Sequence, residues 1–545
     1  MNFQYAQRPR ENASYRLTTT SHSVCLDVLV YSLHDATMSP PNLPPPEEVT
    51  DALNTPSLDP QTPSEWAALR TQGHQMLEDL FDYLETIRQR PVWQPAPPET
   101  QALFKTGFPV DGGSLSTAYQ IFSQHILPYT VGNVHPGFMG WVHGGGTPVG
   151  MLAEMLAGGL NVNVGGRNQI PVQVEAQVID WVRAMAGFPK GAGGLLVTGS
   201  SMANLMALLV ARCEALGTEV RHKGLRDASF PSLVAYASSA AHGCITQAME
   251  ISGIGGQALR LIPVDDEQQL DLTALRAQIA EDKAAGFQPF LLVGTAGTVN
   301  TGTIDDLSAL ADLAHEEDLW FHVDGAFGAL ARLSPTLAPQ LAGLEQADSL
   351  AMDFHKWGQV PYDAGCVLVR DGQKQLDTFA FPADYLRRES AGLAAGSPWP
   401  CDFGPDLSRG FRALKVWFTL QVYGQKALAE TIDRCCALAR HLGELIDAEP
   451  RLRRMAPVSL NIVCFSYVGH GQHLPEDQDA LNRKLLIALH ESGLSAPSST
   501  VLKGRLVLRA AIVNHRTRTE DITTLLNAVL TLGAAEEQSI GRGPA

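Results

Sequence analysis

An α/β fold, with a mostly parallel sheet between layers of helices, is predicted by three observations. Short, continuous apolar runs recur from about residue 131: "GGLLVTG" (193–199), "LVAYAS" (233–238), "PFLLVGTAG" (289–297), "LWFHVDGAF" (319–327) and "GCVLVR" (365–370). Helical stretches such as "SMANLMALLVARCEAL" and "DLSALADLAHEED" separate them. Strands buried on both faces lose the alternation of a half-exposed strand, and helical crossovers make neighbouring strands parallel. Third, the runs end in polar residues, and ligands of such sheets bind beyond the carboxyl ends of the strands.

In chain order, residues 1–57 read as a proline-rich, loosely held tail. Met38, which opens "MSPPNLPPPEEV", is an alternative start, and "SVCLDVLVYSL" (23–33) is too short and too interrupted by Asp27 for a signal sequence. Residues 58–130 form a helical segment. Its first helix starts at "TPSEW", with Thr62 as N-cap, Pro63 at the first helical position and Glu65 completing a capping box. Apolar residues follow at helical spacing from Trp66 to Ile87, and Pro91 stops the pattern. An apolar helical face this early needs a surface to cover it, and a second subunit is one. Residues 131–420 form the large domain and 421–545 a small α+β domain, where "NIVCFSYV" and "RLVLRAAIV" alternate with helices. The stretch 382–410 is irregular, with Gly392, Gly396, Pro398 and Pro400 forbidding a long element. A loop of that length in a compact domain usually serves function or is disordered.

The totals narrow the class. The 545 residues are 45% hydrophobic and 18% charged, a globular composition. A net charge of −17 argues against nucleic acid or an anionic membrane surface as a partner. No run reaches the apolar length of a membrane span. The eight cysteines show no C-x-x-C pair and no disulfide framework, so a reducing, cytoplasmic setting is expected. Cys435 and Cys436 lie in a helical pattern and read as core filler.

Chemistry is concentrated at the strand ends. "VTGSSMANL" places Gly199, Ser200 and Ser201 at a helix N-terminus, where N–H groups and hydroxyls can cradle a phosphate. "YASSAAHGCI" puts His242 just after a strand. Asp324 ends the apolar strand of "FHVDGAFGAL", a costly place for a carboxylate unless it is paired. "AMDFHKWGQV" carries Lys356 between His355 and Trp357. His322 and Asp324 share a strand face but gain no third ligand at useful spacing, so no metal site is read; no G-x-G-x-x-G opens a helix. A phosphate cradle, an imidazole, a buried carboxylate and a lysine together are what pyridoxal 5'-phosphate requires.

These segments resemble the group II pyridoxal-phosphate decarboxylases, the family of aromatic-L-amino-acid, histidine and glutamate decarboxylases. The resemblance runs from about Thr62 to Gly533 and rests on "FHVDGAFGAL…ADSLAMDFHKW", on "HPGFMGWVHGGGTPVGMLAEMLAGGLNVN", and on "QVEAQVIDWV", "GSSMANLMALLVAR", "GTVNTGTIDDL" and "FRALKVWFTLQVYG", these last four in order. It implies the fold-type I architecture with a seven-stranded sheet, a homodimer, and an amino acid as small-molecule substrate. It further implies that Lys356 holds the cofactor as a Schiff base and Asp324 pairs with its pyridine nitrogen. His242 would stack on the ring and Ala326 pack on the opposite face. Ser200, Ser201 and His355 would hold the phosphate, with Thr298 near the ring substituents. Burial of Lys356 would favour its reactive amine.

Three departures from the family pattern matter. Many amine-forming members carry a tyrosine in the mobile catalytic loop, whereas residues 387–410 contain none; Tyr385 precedes them and aligns better with a structural tyrosine. Relatives with phenylalanine there are aldehyde synthases, so the proton that must return to Cα has Ser390, Ser397, Cys401 or His242 as sources. "DF" precedes the histidine where "NP" or "DP" often stands. Phe138, Trp141 and His143 occupy the substrate-side segment, with Gly144–Gly146 leaving room beside them. The expected activity is decarboxylation of an L-amino acid, aromatic or related, to an amine and CO2. The rivals are an aldehyde synthase, an aminotransferase or other lyase using Arg509 for a substrate carboxylate, and a non-enzymatic homologue.

Overall fold

The computed structural model describes residues 57–381, 387–470 and 474–541. The expectations for residues 1–56 and for Tyr385 lie outside these. The described residues up to Arg70 and those from Thr71 onward form two compact units. In the first, the capping box is present: the Glu65 N–H donates to Thr62 Oγ1 (3.2 Å) and the Thr62 N–H donates to Glu65 Oε2 (3.0 Å). The helix it opens spans Pro63–Glu85, and none of its residues is buried.

The second unit is built on a seven-stranded sheet. Its strands are β2 (Gly193–Val197), β3 (Leu233–Ser238), β4 (Leu259–Ile262), β5 (Gln288–Thr295), β6 (Trp320–Asp324), β7 (Ser349–Asp353) and β8 (Gly365–Val369). They lie in the order β2-β8-β7-β6-β5-β3-β4. β7, β6, β5, β3 and β4 are parallel, and β8 runs antiparallel to both of its neighbours. Every residue of β3, β6, β7 and β8 is buried, which is why these strands read as unbroken apolar runs. The helix Ser200–Leu216 packs on β7 and β8, and the helix Ile170–Ala186 packs on β2. Cys435 and Cys436 are buried in the helix Arg412–Ala448, as expected of core filler.

A second sheet carries the C-terminal part: β9 (Leu452–Arg454), β10 (Ile462–Tyr467), β11 (Ala496–Leu502) and β12 (Arg505–Ala511). Its edge is the two-residue β1 (Phe138–Met139), which pairs in parallel with β11, Phe138 opposite Ala496. Residues 131–420 are therefore not confined to the large sheet. The 138–139 backbone finds its partner in the C-terminal sheet, and Asn514 Nδ2 donates to the carbonyls of Asn133, Val134 and His135. The helix Arg412–Ala448 likewise runs through residue 420, leaving helical geometry only at Gly424 (φ 68°).

Candidate active site

The carboxyl ends of the strands converge on one cavity of about 460 Å³. Thr198 follows β2, His242 follows β3, Thr295 ends β5, Asp324 ends β6 and Asp353 ends β7, and all five line it with Lys356. Register places Asp324 between Thr295 on one side and Ala351 on the other.

The helix Ser200–Leu216 has no side-chain cap from Gly199, the residue before it. Asp353 supplies one from across the sheet. Its Oδ1 accepts from the Ser200 N–H (2.7 Å) and its Oδ2 from the Ser200 hydroxyl (2.7 Å). A carboxylate there satisfies free N–H groups and the positive end of the helix dipole. The same Oδ2 lies 3.0 Å from Lys356 Nζ and 3.7 Å from His355 Nε2. Lys356 is thus ion-paired at the cavity surface rather than isolated in apolar surroundings. His355 Nδ1 accepts from the Ala364 N–H (3.1 Å), and burial holds its pKa below the usual histidine value. The neutral ring accordingly carries its proton on Nε2. Behind the cradle Gly365 is pressed against Gly199: a Cβ on Gly365 would lie 2.5 Å from Gly199 Cα.

Asp324 is buried, and its Oδ1 accepts from the Ala326 N–H (3.1 Å). Burial raises its pKa, opposed first by the charge of Lys356. Two residues back on the same face, His322 places Nδ1 2.9 Å from Ser349 Oγ and Nε2 2.7 Å from Asn204 Oδ1. Burial pushes its pKa down to about 4, so it is a neutral strut linking β6, β7 and the Ser200–Leu216 helix. His242 Nδ1 accepts from the Cys244 N–H (3.1 Å), leaving Nε2 as the other ring nitrogen. Ser201 and Ala326 also line the cavity.

The outer wall is aromatic: Trp141, His143 and Tyr362 line it. The His143 ring stacks on Trp141 (5.7 Å between centroids) and meets Tyr362 edge-on (5.9 Å). Two sequence candidates sit elsewhere. Phe138 is buried behind the wall, stacked on His143 at 5.7 Å, because β1 turns it into the C-terminal sheet. Thr298 is fully buried; its hydroxyl lies 2.9 Å from Thr301 Oγ1 and accepts from the Thr303 N–H (3.1 Å). It builds the turn whose neighbours Gly297 and Val299 reach the cavity. Sequence reasoning missed Asp353 and Tyr362. The signal for Asp353 was present, a carboxylate inside an apolar strand, but its partner Ser200 is remote in sequence.

Arg509 is committed to structure. Its guanidinium donates to the carbonyls of Trp141 (3.1 Å), Asn300 (3.2 Å) and Val299 (2.5 Å) and to Ser498 Oγ (3.0 Å). Burial lowers its pKa to about 10. Neither a substrate carboxylate nor a salt bridge explains it; it braces Trp141 and Val299 against β12.

In the irregular segment 387–410, Trp399 is buried between two guanidiniums, Arg388 at 3.4 Å and Arg167 at 4.6 Å from the ring centre. Arg388 pairs with Asp402 (2.8 Å), and Arg409 is locked to Glu175 with both side chains buried. Ser390, Ser397 and Cys401 do not line the cavity of their own chain.

The donor set fits pyridoxal phosphate: N–H and hydroxyl donors at a helix N-terminus, a lysine, and a buried carboxylate under an imidazole, around a space of ring size. Residues 97–468 match the model of the pyridoxal-dependent decarboxylase conserved domain. The aromatic-L-amino-acid decarboxylase of Bacillus atrophaeus is 32% identical over 477 residues, 87% of this chain and 96% of that protein. The phenylacetaldehyde synthase of Arabidopsis thaliana is 29% identical, covering 83% and 92%. Among solved structures, Catharanthus roseus tryptophan decarboxylase in complex with L-tryptophan shares the fold, with a TM-score of 0.77, 24% identity and coverage of 88% and 100%. The chain belongs to the pyridoxal-dependent decarboxylase family, a carboxy-lyase that uses pyridoxal 5'-phosphate to decarboxylate an amino acid.

Proposed function

We propose that the substrate is an aromatic L-amino acid, converted to its amine and CO2 by a homodimer in a reducing, cytoplasmic setting. The observation that carries this reading is the cavity itself, with Lys356, Asp324 and His242 at its base and Trp141, His143 and Tyr362 along its wall. In this reading Lys356 holds the cofactor covalently and Asp324 pairs with the ring nitrogen. Ser201 would donate to the phosphate, and Ser200 and His355 would exchange their contacts with Asp353 for it, while His242 and Ala326 would cover the two ring faces. Bound pyridoxal phosphate supplies the electron sink for the bond pair left as CO2 departs. The chain's own part is to orient the carboxylate-bearing bond, exclude water and return one proton to Cα. The aromatic relatives support the substrate class. For the homodimer, support comes from exposed apolar residues: Trp66 and Leu69 on the first helix, and Met155, Leu156 and Leu160 on the helix Pro148–Leu160. For the compartment, the described cysteines are all free, and no described helix is long and apolar enough to cross a membrane.

A second reading, an aldehyde synthase, has its own observation: residues 387–410 contain no tyrosine. One experiment separates the two. Purified, cofactor-loaded protein is incubated in air with a panel of L-amino acids, and the products are identified by mass spectrometry. Amine and CO2 without peroxide support the decarboxylase; aldehyde, ammonia and peroxide support the synthase. Turnover of non-aromatic amino acids alone overturns the substrate class.

A further inference from the structure

We propose that Tyr362 delivers the proton that Cα takes after CO2 leaves, so that this residue of the cavity wall decides for amine over aldehyde. The inference rests on the decarboxylase reading and adds a catalytic residue to it.

The substrate's amine replaces Lys356 Nζ as the nitrogen bonded to the cofactor, so Cα lies one bond from that place. Lys356 Nζ is 3.0 Å from Asp353, and Asp353 is also the charged group that acts on the Tyr362 phenol. Tyr362 lines the same cavity as Asp353 and Lys356 and is the only tyrosine lining it among the described residues. Its ring is fixed 4.3 Å from the His355 ring and edge-on to His143. Three other proton carriers on the wall, Ser200, His355 and His143, are disfavoured by their surroundings. The Ser200 hydroxyl donates to Asp353. The remaining N–H of His355 faces Asp353. His143 is held neutral by burial, with the charge of Lys356 second, and a neutral imidazole N–H is a far weaker acid than a phenol. His242 Nε2 and the Lys356 amine are the rivals. Tyr362 is about half exposed; its partial burial, and then Asp353, raises its pKa, so the phenol keeps its proton throughout the physiological range.

The step balances. The C–C bond pair stays at Cα as CO2 departs; a C–H bond forms there as the phenol O–H breaks, and the phenolate regains its proton from water. Without the donor, dissolved O2 takes two electrons from the same carbon. The sum is then amino acid, O2 and water giving aldehyde, CO2, ammonia and hydrogen peroxide.

The test compares wild type, Tyr362→Phe and Tyr362→His, each cofactor-loaded. It measures amine, aldehyde and peroxide, and the affinity of an aromatic amino acid methyl ester, which has no free carboxylate to lose, by absorbance titration. For Tyr362→Phe the expectation is analogue affinity within about twofold of wild type, amine formation lowered about 100-fold, and aldehyde with equimolar peroxide as the main product. Tyr362→His is expected to restore amine in part, with a rate that falls as the imidazolium loses its proton above about pH 6.5. Amine formation by Tyr362→Phe within about threefold of wild type, with no rise in aldehyde, overturns the proposal in favour of His242 or Lys356. Parallel loss of analogue affinity and amine rate overturns it too, because Tyr362 then only shapes the pocket. Wild type that makes aldehyde overturns it and leaves the carboxy-lyase activity standing. Amine from a non-aromatic amino acid overturns the substrate class alone, and the same variants assayed on that amino acid then decide Tyr362.

Discussion

Asp353 and Lys356 form an ion pair of 3.0 Å at the end of β7, and the same carboxylate caps the helix Ser200–Leu216 through the Ser200 N–H and hydroxyl. One acidic side chain therefore joins the lysine to the phosphate cradle. It also places a negative charge beside the proposed phosphate cradle, and two like charges a few ångströms apart cost about 1–2 kcal/mol even when partly screened.

Asp353→Asn keeps an acceptor for the Ser200 N–H and removes the charge. Cofactor affinity, measured by titrating the apoprotein with pyridoxal phosphate, should tighten about tenfold. Asp353→Ala, which also strips the helix cap, should lower the unfolding temperature as well. Unchanged affinity in the Asn variant would mean that the charge does not reach the phosphate.

Gly365→Ala tests the close approach behind the cradle. The added Cβ would stand 2.5 Å from Gly199 Cα, with backbone on both sides and nothing flexible to yield. The Gly199–Ser200 turn must shift, so cofactor affinity should fall by at least tenfold while the far-ultraviolet circular dichroism is kept. A variant that binds cofactor normally would show that the turn has slack.

The buried Arg409–Glu175 pair anchors the end of the 387–410 segment to the helix Ile170–Ala186. Glu175 Oε1 also accepts from the Leu196 N–H, and Arg409 donates to the Val164 and Leu196 carbonyls. Removing one partner leaves an uncompensated buried charge, a loss of about 3–5 kcal/mol. Arg409→Met should therefore destabilise more than the double variant with Glu175→Leu, as read from urea denaturation midpoints. Equal losses would make the pair's electrostatics irrelevant.

Asp305 gives a pH dependence. It is buried, accepts from the Leu270 N–H (2.9 Å) and the Thr295 N–H (2.8 Å), and burial raises its pKa from 3.8 to about 6. The folded state thus holds this proton more tightly than the unfolded chain. Its contribution is complete below about pH 4 and is lost as pH rises through about 6. Relative to Asp305→Asn, the wild type should lose about 3 kcal/mol of stability between about pH 4 and pH 7. A pH-independent difference between the two proteins would refute the shift.

Much of this site was legible before the fold. Lys356, Asp324, His242 and the Gly199–Ser201 turn each stand at the end of an apolar run, and a parallel sheet brings such ends to one edge. The walls were less legible. Phe138 looked like a pocket residue because it sits in the segment where relatives place such residues, yet β1 pairs with β11 and carries its ring behind His143. Thr298 follows a strand, but its hydroxyl closes a local turn with Thr301 and Thr303.

By itself the sequence determined the strand ends and hence the reactive set, because apolar runs and turn residues are local signals that a parallel sheet converts into proximity. Tertiary structure alone decided what each group touches. It turned Asp353 into a helix cap and lysine partner, left Tyr362 on the cavity wall, and spent Arg509 on the carbonyls of Trp141, Val299 and Asn300. Those partners are remote in sequence, and hydrogen bonds and ion pairs depend on distances of a few tenths of an ångström that only the packed chain fixes.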